Sequence, residues 1–173
     1  MVPEVKKEEE LLNELKMAVI GNVDSGKSTF VGVLTKGGLD NGRGLSRSGV
    51  FRHKHEIENG RTSSISRQTM GFNSKGEVTN YGRSSSISDV IATSSKVVTF
   101  VDLCGHERYL KTTVFGLTSI SPDYATLLLG SNMGVQRMTK EHLGVAIALK
   151  IPLIIVSLDP TGALFTYIAS IFV

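Results

Sequence analysis

The chain has 173 residues, of which 40% are apolar, and its formal net charge is +3. This length suits one domain of ordinary size and excludes two comfortable ones, and the apolar content is sufficient for a core. The small positive charge permits an anionic partner without demanding one. The single cysteine, Cys104, excludes an internal disulfide and fits a reducing compartment, so a cytoplasmic location is expected.

No targeting or membrane segment is predicted. Residues 1–14 are charged, too acidic for a transit peptide, and lack the apolar core of a signal peptide, so we interpret them as a lead-in. No stretch of about 18 apolar residues indicates a membrane span, although the C-terminal tail is apolar. We therefore expect no membrane partner.

The predicted elements alternate between strands and helices. Short apolar runs that end in Gly or Asp are typical of buried parallel strands, and apolar residues at helical spacing follow them. This alternation favours an α/β fold with a mostly parallel sheet and helices on both faces. In chain order we predict a strand over 15–21, a helix over 27–35, a loop over 37–49, an irregular Ser-rich segment or poor hairpin over 62–95, a strand over 96–102, a helix over 106–118, a strand over 123–130, a helix over 138–150 with Thr139 as its N-cap, and a strand over 151–157.

The stretch GNVDSGKST lies between the first strand and the first helix and fits the P-loop spacing with nothing missing. Its glycines let the backbone turn so that N–H groups face phosphate oxygens, and the helix adds the positive end of its dipole. Lys27 is expected to neutralise the β- and γ-phosphates, and the Ser28 hydroxyl to ligate Mg²⁺. The alternative is an ordinary glycine turn. The predicted nucleotide-binding residues are Gly21, Asn22, Val23, Asp24, Ser25, Gly26, Lys27, Ser28 and Thr29.

A second motif, VDLCGHE, follows the strand over 96–102. Asp102 at the strand end is placed to hold Mg²⁺, directly or through water. The N–H of Gly105 is expected to reach a γ-phosphate, with His106 at the mouth of the site. The alternatives are a helix N-cap for Asp102 and an ordinary surface histidine for His106.

These motifs resemble those of a translational GTPase, the superfamily of elongation factor Tu and elongation factor 1-alpha. The segments VFRHKHEIENGRTSS, HERYLKTTVFGLT and SNMGVQRMTKEHLGVAIALKIPLIIV look like the GTP-binding protein 1 and 2 subfamily. The resemblance covers about residues 15–156. It implies a P-loop NTPase fold, with a partial GTP-binding domain over 15–156 that includes an irregular switch I region over 37–95.

The resemblance also implies roles and partners. It implies hydrolysis of GTP to GDP with Mg²⁺ in a ribosome- or RNA-linked step, and no DNA partner. Thr62 matches the switch I threonine, a Mg²⁺ ligand, and His106 the catalytic residue that orients the attacking water. Asp24 matches a residue that helps to hold a monovalent cation. Val23 matches one wing of an apolar gate, whose other wing, usually Ile, is here Arg61.

The chain departs from the family where the guanine-reading motif Thr-Lys-x-Asp is expected. It has Ser157, Leu158, Asp159 and Pro160 there, and we interpret 157–173 as a divergent apolar tail and the domain as C-terminally incomplete. Loss of two charge-assisted hydrogen bonds to the base costs about 3–6 kcal/mol. A non-enzymatic fragment with weak, poorly base-specific nucleotide binding therefore remains an alternative. A P-loop ATPase or kinase is disfavoured by the histidine after D-x-x-G.

Three smaller features complete the predictions. His53 and His55 form a His-x-His pair, a weak metal signal without a third ligand. Apolar residues at helical spacing predict a helix over 162–172 that partly covers the sheet. A basic cluster in the switch I region is either a solvated loop or a contact for RNA phosphates, and comprises Arg43, Arg47, Arg52, Lys54, Arg61 and Arg67.

Overall fold

One sheet organises the part of the chain that the computed structural model describes, residues 14–81, 86–158 and 170–171. Its strand order is β2-β3-β1-β4-β5-β6. The strands are β1 (Glu14–Gly21), β2 (Ser66–Phe72), β3 (Lys96–Asp102), β4 (Tyr124–Gly130), β5 (Leu153–Leu158) and β6 (Ser170–Ile171). The helices are α1 (Lys27–Lys36), α2 (Leu45–Ser48), α3 (Lys54–Asn59), α4 (Ile87–Thr93), α5 (Leu110–Ile120) and α6 (Arg137–Ala148), with a 3₁₀ turn at Glu107–Tyr109.

The four central strands are parallel, and both edge strands are antiparallel. Strand β1 pairs with β3 on one side and β4 on the other, and β4 pairs with β5. Strand β2 runs antiparallel to β3, and β6 antiparallel to β5. The predicted α/β fold with a mostly parallel sheet is confirmed. Because parallel strands put their carboxyl ends on one edge, the residues after β1 and β3 lie together.

Two apolar clusters, one on each face of the sheet, form the core. Residues of β1, β3 and β4 pack on one face with Leu117 of α5 and Ala146 of α6. On the other face, Val19 and Leu128 pack with Val31 of α1. These layers fix α1, and with it the loop that precedes α1, against the carboxyl edge of the sheet.

The Gly- and Ser-rich regions contain more regular structure than the sequence indicates. The predicted loop over 37–49 includes helix α2, and the segment over 62–95 includes β2 and α4. The hairpin alternative is correct in part, since Phe72 pairs with Val78 and the Asn73 N–H donates to the Glu77 carbonyl at 2.9 Å. These elements have no periodic apolar pattern of their own. They form because they pack against neighbouring elements.

Two further predictions differ from the structure. Thr139 is not an N-cap, because α6 begins at Arg137 and buries Thr139 within its first turn. The helix predicted over 162–172 is wrong at Ser170–Ile171, which pair as a strand with β5. The rest of that prediction lies outside the described residues. Within those residues, no helix is long and apolar enough to cross a bilayer.

Candidate nucleotide-binding site

The loop between β1 and α1 has the backbone geometry that its glycines allow. Gly21 has φ +145° and Gly26 has φ +86°, backbone angles that residues other than glycine rarely adopt. At Gly21 a Cβ would also collide with the Leu128 carbonyl on the neighbouring strand. No side chain caps α1, so the amides of its first turn are left for another acceptor. An anion at a helix N-terminus supplies that acceptor.

Lys27 lies folded beneath this loop. It is buried, and its Nζ donates a hydrogen bond to the carbonyl of Asn22. The Ser25 hydroxyl donates to the same carbonyl at 2.9 Å. Burial lowers the pKa of Lys27, while the charges of Asp102 and Asp24 oppose this shift. The loop therefore encloses a cation that an anion beside it would stabilise.

Three oxygen-bearing side chains from distant parts of the sequence meet next to Lys27. The Ser28 hydroxyl donates to Asp102 Oδ2 at 2.6 Å and lies 2.7 Å from the Thr62 hydroxyl. Thr62 in turn donates to Asp102 Oδ2 at 3.3 Å. The structure thus brings together the three residues predicted as metal ligands. It contradicts the N-cap alternative for Asp102, because the side chain of His106 caps the 3₁₀ turn instead.

This cluster is chemically suited to a hard divalent cation. Asp102 is fully buried, and its Oδ1 has no partner among the described residues. Burial raises its pKa to about 6, against the lowering effects of Ser28 and Lys27. A buried carboxylate with a free oxygen, beside two hydroxyls, is a donor set that fits Mg²⁺.

A cleft of about 390 Å³ opens over the P-loop. Of the predicted nucleotide-binding residues, Val23, Asp24, Gly26, Lys27, Ser28, Thr29 and Gly105 line the cleft, as do Thr62 and His106. At Gly105, a Cβ would lie 2.8 Å from the carbonyl oxygen of Asn22, so a larger residue does not fit. Gly21, Asn22 and Ser25 do not line the cleft. They take part in the contacts that hold the loop in its conformation.

His106 is half-buried at the mouth of the cleft. Its Nδ1 accepts the Arg108 N–H at 3.1 Å, and its ring meets Tyr109 edge-on with the centroids 6.2 Å apart. In a neutral ring that accepts at Nδ1, the proton is on Nε2. The ring can therefore donate a hydrogen bond from Nε2.

Two important residues escaped the sequence predictions. The first is His142 of α6, which is fully buried and whose Nδ1 accepts the Gly21 N–H at 3.3 Å. Burial, with the nearby charge of Lys27, lowers the pKa of His142 to about 4, so the ring is neutral at pH 7. The contact joins residues 121 positions apart. A lone histidine on a helix gives no signal of such a contact.

The second is Glu56, which closes the segment that leads to Thr62. Its Oε2 accepts the N–H groups of Arg52 at 2.8 Å and His53 at 3.1 Å. Its Oε1 accepts the N–H and hydroxyl groups of both Ser63 and Ser64, at 2.7–3.0 Å. Burial raises its pKa, but the hydrogen bonds from Ser63 and Arg52 outweigh this effect and hold it at about 2. Glu56 thus fixes the residue that follows Thr62.

Glu56→Gln is expected to loosen the segment around Thr62. The NH₂ group of the glutamine amide cannot accept a hydrogen bond. It therefore leaves unpaired the donors that now bond to one of the two carboxylate oxygens of Glu56. Hydrogen exchange at Ser63 and Ser64 should accelerate at least about tenfold at pH 6, which is about 1.4 kcal/mol of local stability. The matched control is Glu58→Gln, an exposed position on the same helix. Equal protection in the wild type and the Gln variant would contradict this role.

The same contact predicts a pH dependence. The pKa of Glu56 in the folded chain, about 2, is below its ordinary value of 4.5. Its stabilising effect is therefore complete above pH 4.5 and is lost as the pH falls towards 2. After correction for intrinsic exchange, protection at Ser63 and Ser64 should decline over this range in the wild type. In the Gln variant protection should show no such decline, and a parallel decline would mean that another group titrates.

The remaining candidates take different positions. His53 and His55 stack with their centroids 5.3 Å apart, and His55 Nε2 lies 2.7 Å from the Ser63 hydroxyl. Arg61 is exposed and lines the cleft, as does Val23. Cys104 is buried, and burial raises the pKa of its thiol to about 12, which indicates an inert thiol.

Comparison with known proteins gives a family match that covers most of the chain. The family description "Elongation factor Tu GTP binding domain" matches residues 13–159. The chain is 59% identical over 143 residues to GTP-binding protein 2 of Homo sapiens, covering 83% of the chain and 24% of that protein. It is 55% identical over 147 residues to GTP-binding protein 1 of Xenopus laevis, covering 83% of the chain and 22% of that protein. The chain thus spans about a quarter of the length of the curated relatives it matches.

A more distant relative and a solved structure extend the comparison. Elongation factor 1-alpha of Methanobrevibacter smithii is 28% identical over 152 residues, covering 84% of the chain and 31% of that protein. The crystal structure of a bacterial selenocysteine-specific elongation factor has a TM-score of 0.59 at 24% identity, covering 82% of the chain and 19% of the other. That likeness concerns the fold. By the extent of the family match and the P-loop site built on this sheet, the chain belongs to the elongation factor Tu type of GTP-binding domains.

Proposed function

We propose that the chain binds GTP with Mg²⁺ and hydrolyses it to GDP. The observation that supports this most is the meeting of Ser28, Thr62 and Asp102 beside the buried Lys27. Such a donor set beside a P-loop suits a nucleoside triphosphate and its metal ion. The family and the relatives, two of them GTP-binding proteins by name, favour guanine as the base.

Each residue of the proposed site has a distinct task. The amides of the first turn of α1, with the loop from Gly21 to Thr29, hold phosphate oxygens, and Lys27 neutralises their charge. Ser28, Thr62 and Asp102 hold Mg²⁺, which supplies positive charge to the β- and γ-phosphates when bound. Gly105 leaves room for the terminal phosphate and offers its N–H. We do not assign a monovalent cation to Asp24.

We assign His106 to the hydrolytic step. Its Nδ1 is engaged by Arg108, so the neutral ring offers Nε2–H to a water or a phosphate oxygen. A water held in line with the terminal phosphate attacks the γ-phosphorus, and the bond from that phosphorus to the β–γ bridging oxygen breaks. GDP is the leaving group, and the proton of the water goes to the oxygens of the inorganic phosphate that forms. This is a positioning task, since the ring nitrogen that could take a proton is already an acceptor.

The biological setting is proposed from the family. Two relatives are elongation factors by name, so a ribosome- or RNA-linked step in the cytoplasm is the proposed context. The proposed GTP-binding unit is 15–156, with 37–95 as its switch I region and 157–173 as a divergent tail.

A second candidate is nucleotide binding without turnover or base selection. It is favoured by the sequence after β5, Ser157-Leu158-Asp159, where the family motif has Thr-Lys-x-Asp. Without two charge-assisted hydrogen bonds to guanine, affinity falls by about 10²- to 10⁴-fold. Phosphate and metal contacts do not depend on that motif, so triphosphate binding persists in this candidate.

Thermal unfolding of the purified chain with GTP, GDP and ATP, each with Mg²⁺ or a chelator, tests both candidates. A ligand at 100 times its dissociation constant stabilises the folded state by about 2.7 kcal/mol. GTP-binding predicts a Mg²⁺-dependent rise in melting temperature with GTP and a smaller one with ATP. Equal rises with GTP and ATP favour the second candidate. No rise with any nucleotide would contradict both.

A further inference from the structure

A turn over residues 40–46 follows helix α1 and is held by hydrogen bonds to one carboxylate. It leads to the cleft. The Asp40 carboxylate accepts the N–H of Ser46 at 2.8 Å through Oδ1, and those of Gly42 at 3.0 Å and Gly44 at 3.2 Å through Oδ2. One side chain therefore ties together a turn of seven residues. The turn leads into helix α2, which contains Arg47.

This turn is also fixed against the helix of the P-loop. Ser46 is buried, and its hydroxyl donates to the Gly38 carbonyl at 3.3 Å. Its carbonyl group lies against Gly32 of α1, where a Cβ would be 2.6 Å from the Ser46 carbonyl carbon. Helix α2 therefore keeps a defined position relative to the phosphate loop.

Arg47 is the side chain that this arrangement presents to the cleft. It is half-buried, and its guanidinium lies between two glycines. A Cβ at Gly44 would lie 2.9 Å from Cζ of Arg47, and one at Gly60 would lie 3.1 Å from Nη2. Arg47 lines the same cleft as Lys27. No carboxylate of residues 14–81 or 86–158 forms an ion pair with Arg47. The ion pair found there is that of Arg137 with Glu107.

We propose that Arg47 is a second phosphate-binding cation of this site, which contacts the polyphosphate of the bound nucleotide alongside Lys27. The proposal rests on the proposed function, because it takes the cleft to hold a nucleotide. A guanidinium has five donors in a planar fork that matches phosphate oxygens. Among the described residues the Arg47 side chain donates no hydrogen bond and forms no ion pair, although Asp24 and Asp40 line the same cleft. An anion bound in the cleft would supply its acceptor.

The position of Arg47 also links phosphate binding to the metal cluster. Gly60, beside which the guanidinium lies, is two residues before Thr62. Arg47 therefore lies beside the segment that carries Thr62, and both residues line the cleft. The contact involves phosphate alone, so it adds affinity without base preference.

Binding of inorganic tripolyphosphate and of GTP, each with Mg²⁺, tests this in the full chain. Arg47→Ala should weaken both ligands by the same factor, about ten- to hundredfold. Arg47→Lys keeps the charge and should lose only about threefold to tenfold, because a lysine cannot bind two oxygens in the same plane. The control is Arg43→Ala, an exposed residue of the same turn that does not line the cleft, and it should bind like the wild type.

The melting temperature without ligand distinguishes binding from support. If Arg47→Ala melts lower but binds both probes like the wild type, Arg47 is only a structural strut and the proposal is overturned. If the Ala variant does not fold, unchanged tripolyphosphate affinity in Arg47→Lys overturns it. If the wild type binds tripolyphosphate but GTP and ATP raise its melting temperature equally, the guanine assignment fails, while loss of tripolyphosphate binding in Arg47→Ala still supports the proposal. Absence of binding by the wild type to either probe overturns both.

Discussion

Lys27→Ala is expected to abolish measurable binding of GTP with Mg²⁺. Lys27 is the buried cation of the P-loop, and its Nζ is held at the Asn22 carbonyl beside the phosphate position. The contacts proposed for it with the β- and γ-phosphates would be charge-assisted and are each worth about 1.5–3 kcal/mol. Loss of both corresponds to about 10²- to 10⁴-fold in affinity.

The effect should exceed that of any exposed lysine, because little solvent screens the interaction. Burial lowers the pKa of Lys27 in the folded chain. A bound phosphate reverses this by favouring the charged form. At any pH at which Lys27 is partly neutral, binding of nucleotide should therefore be accompanied by proton uptake. The Ala variant should lack this uptake.

Equilibrium titration with a fluorescent GTP analogue measures the loss. The matched control is Lys36→Ala, an exposed lysine at the end of the same helix, which should bind like the wild type. The melting temperature of each free variant checks that the sheet is intact. Unchanged affinity in a folded Lys27→Ala protein would disprove the P-loop assignment.

The site could be predicted from the sequence wherever a short motif determines the chemistry. The P-loop glycines and Lys27 lie within one turn between a strand and a helix, so spacing alone indicates their arrangement. Asp102 could be placed because parallel strands share an edge, and β3 lies next to β1. Thr62 was predicted only through the resemblance, since a threonine in a Ser-rich segment has no distinctive pattern.

The rest depends on contacts that no local pattern reveals. Strand β2 has polar residues at Arg67, Gln68 and Thr69, and it forms because β3 offers a free edge for seven paired residues. Its Gly71 leaves space for α4, where a Cβ would lie 2.8 Å from a Val90 methyl. Short polar segments that complete a neighbour's hydrogen bonds escape prediction from propensity.

Buried polar residues were missed for a related reason. Glu56 resembles any charged helix residue, yet it accepts six hydrogen bonds from residues on both sides of it. His142 contacts Gly21 across the sheet edge. Only the folded chain shows that these side chains are enclosed. All the contacts of Glu56 come from that enclosure, whereas His142 uses Nδ1 alone, since its Nε2 has no partner among the described residues.

His106→Ala is expected to leave GTP affinity nearly intact and to slow hydrolysis at least about tenfold, or about 1.4 kcal/mol of barrier. The side chain lies at the mouth of the cleft, and its one hydrogen bond in the described residues is local, to the Arg108 N–H. It forms no hydrogen bond with Ser28, Thr62 or Asp102, so its removal should leave the proposed phosphate and metal contacts in place.

Single-turnover hydrolysis at saturating GTP, with and without added ribosomes, measures the effect, and titration gives the affinity. Arg108→Ala is the matched control, because it keeps the backbone N–H and removes an exposed side chain. His106→Gln should recover part of the rate, since its amide donates a hydrogen bond where the Nε2–H does. A general base would not be replaced in this way, because an amide does not accept a proton at neutral pH. Rescue by Gln therefore indicates that the residue positions water, whereas equal losses of affinity and rate in the Ala variant would make His106 a structural residue.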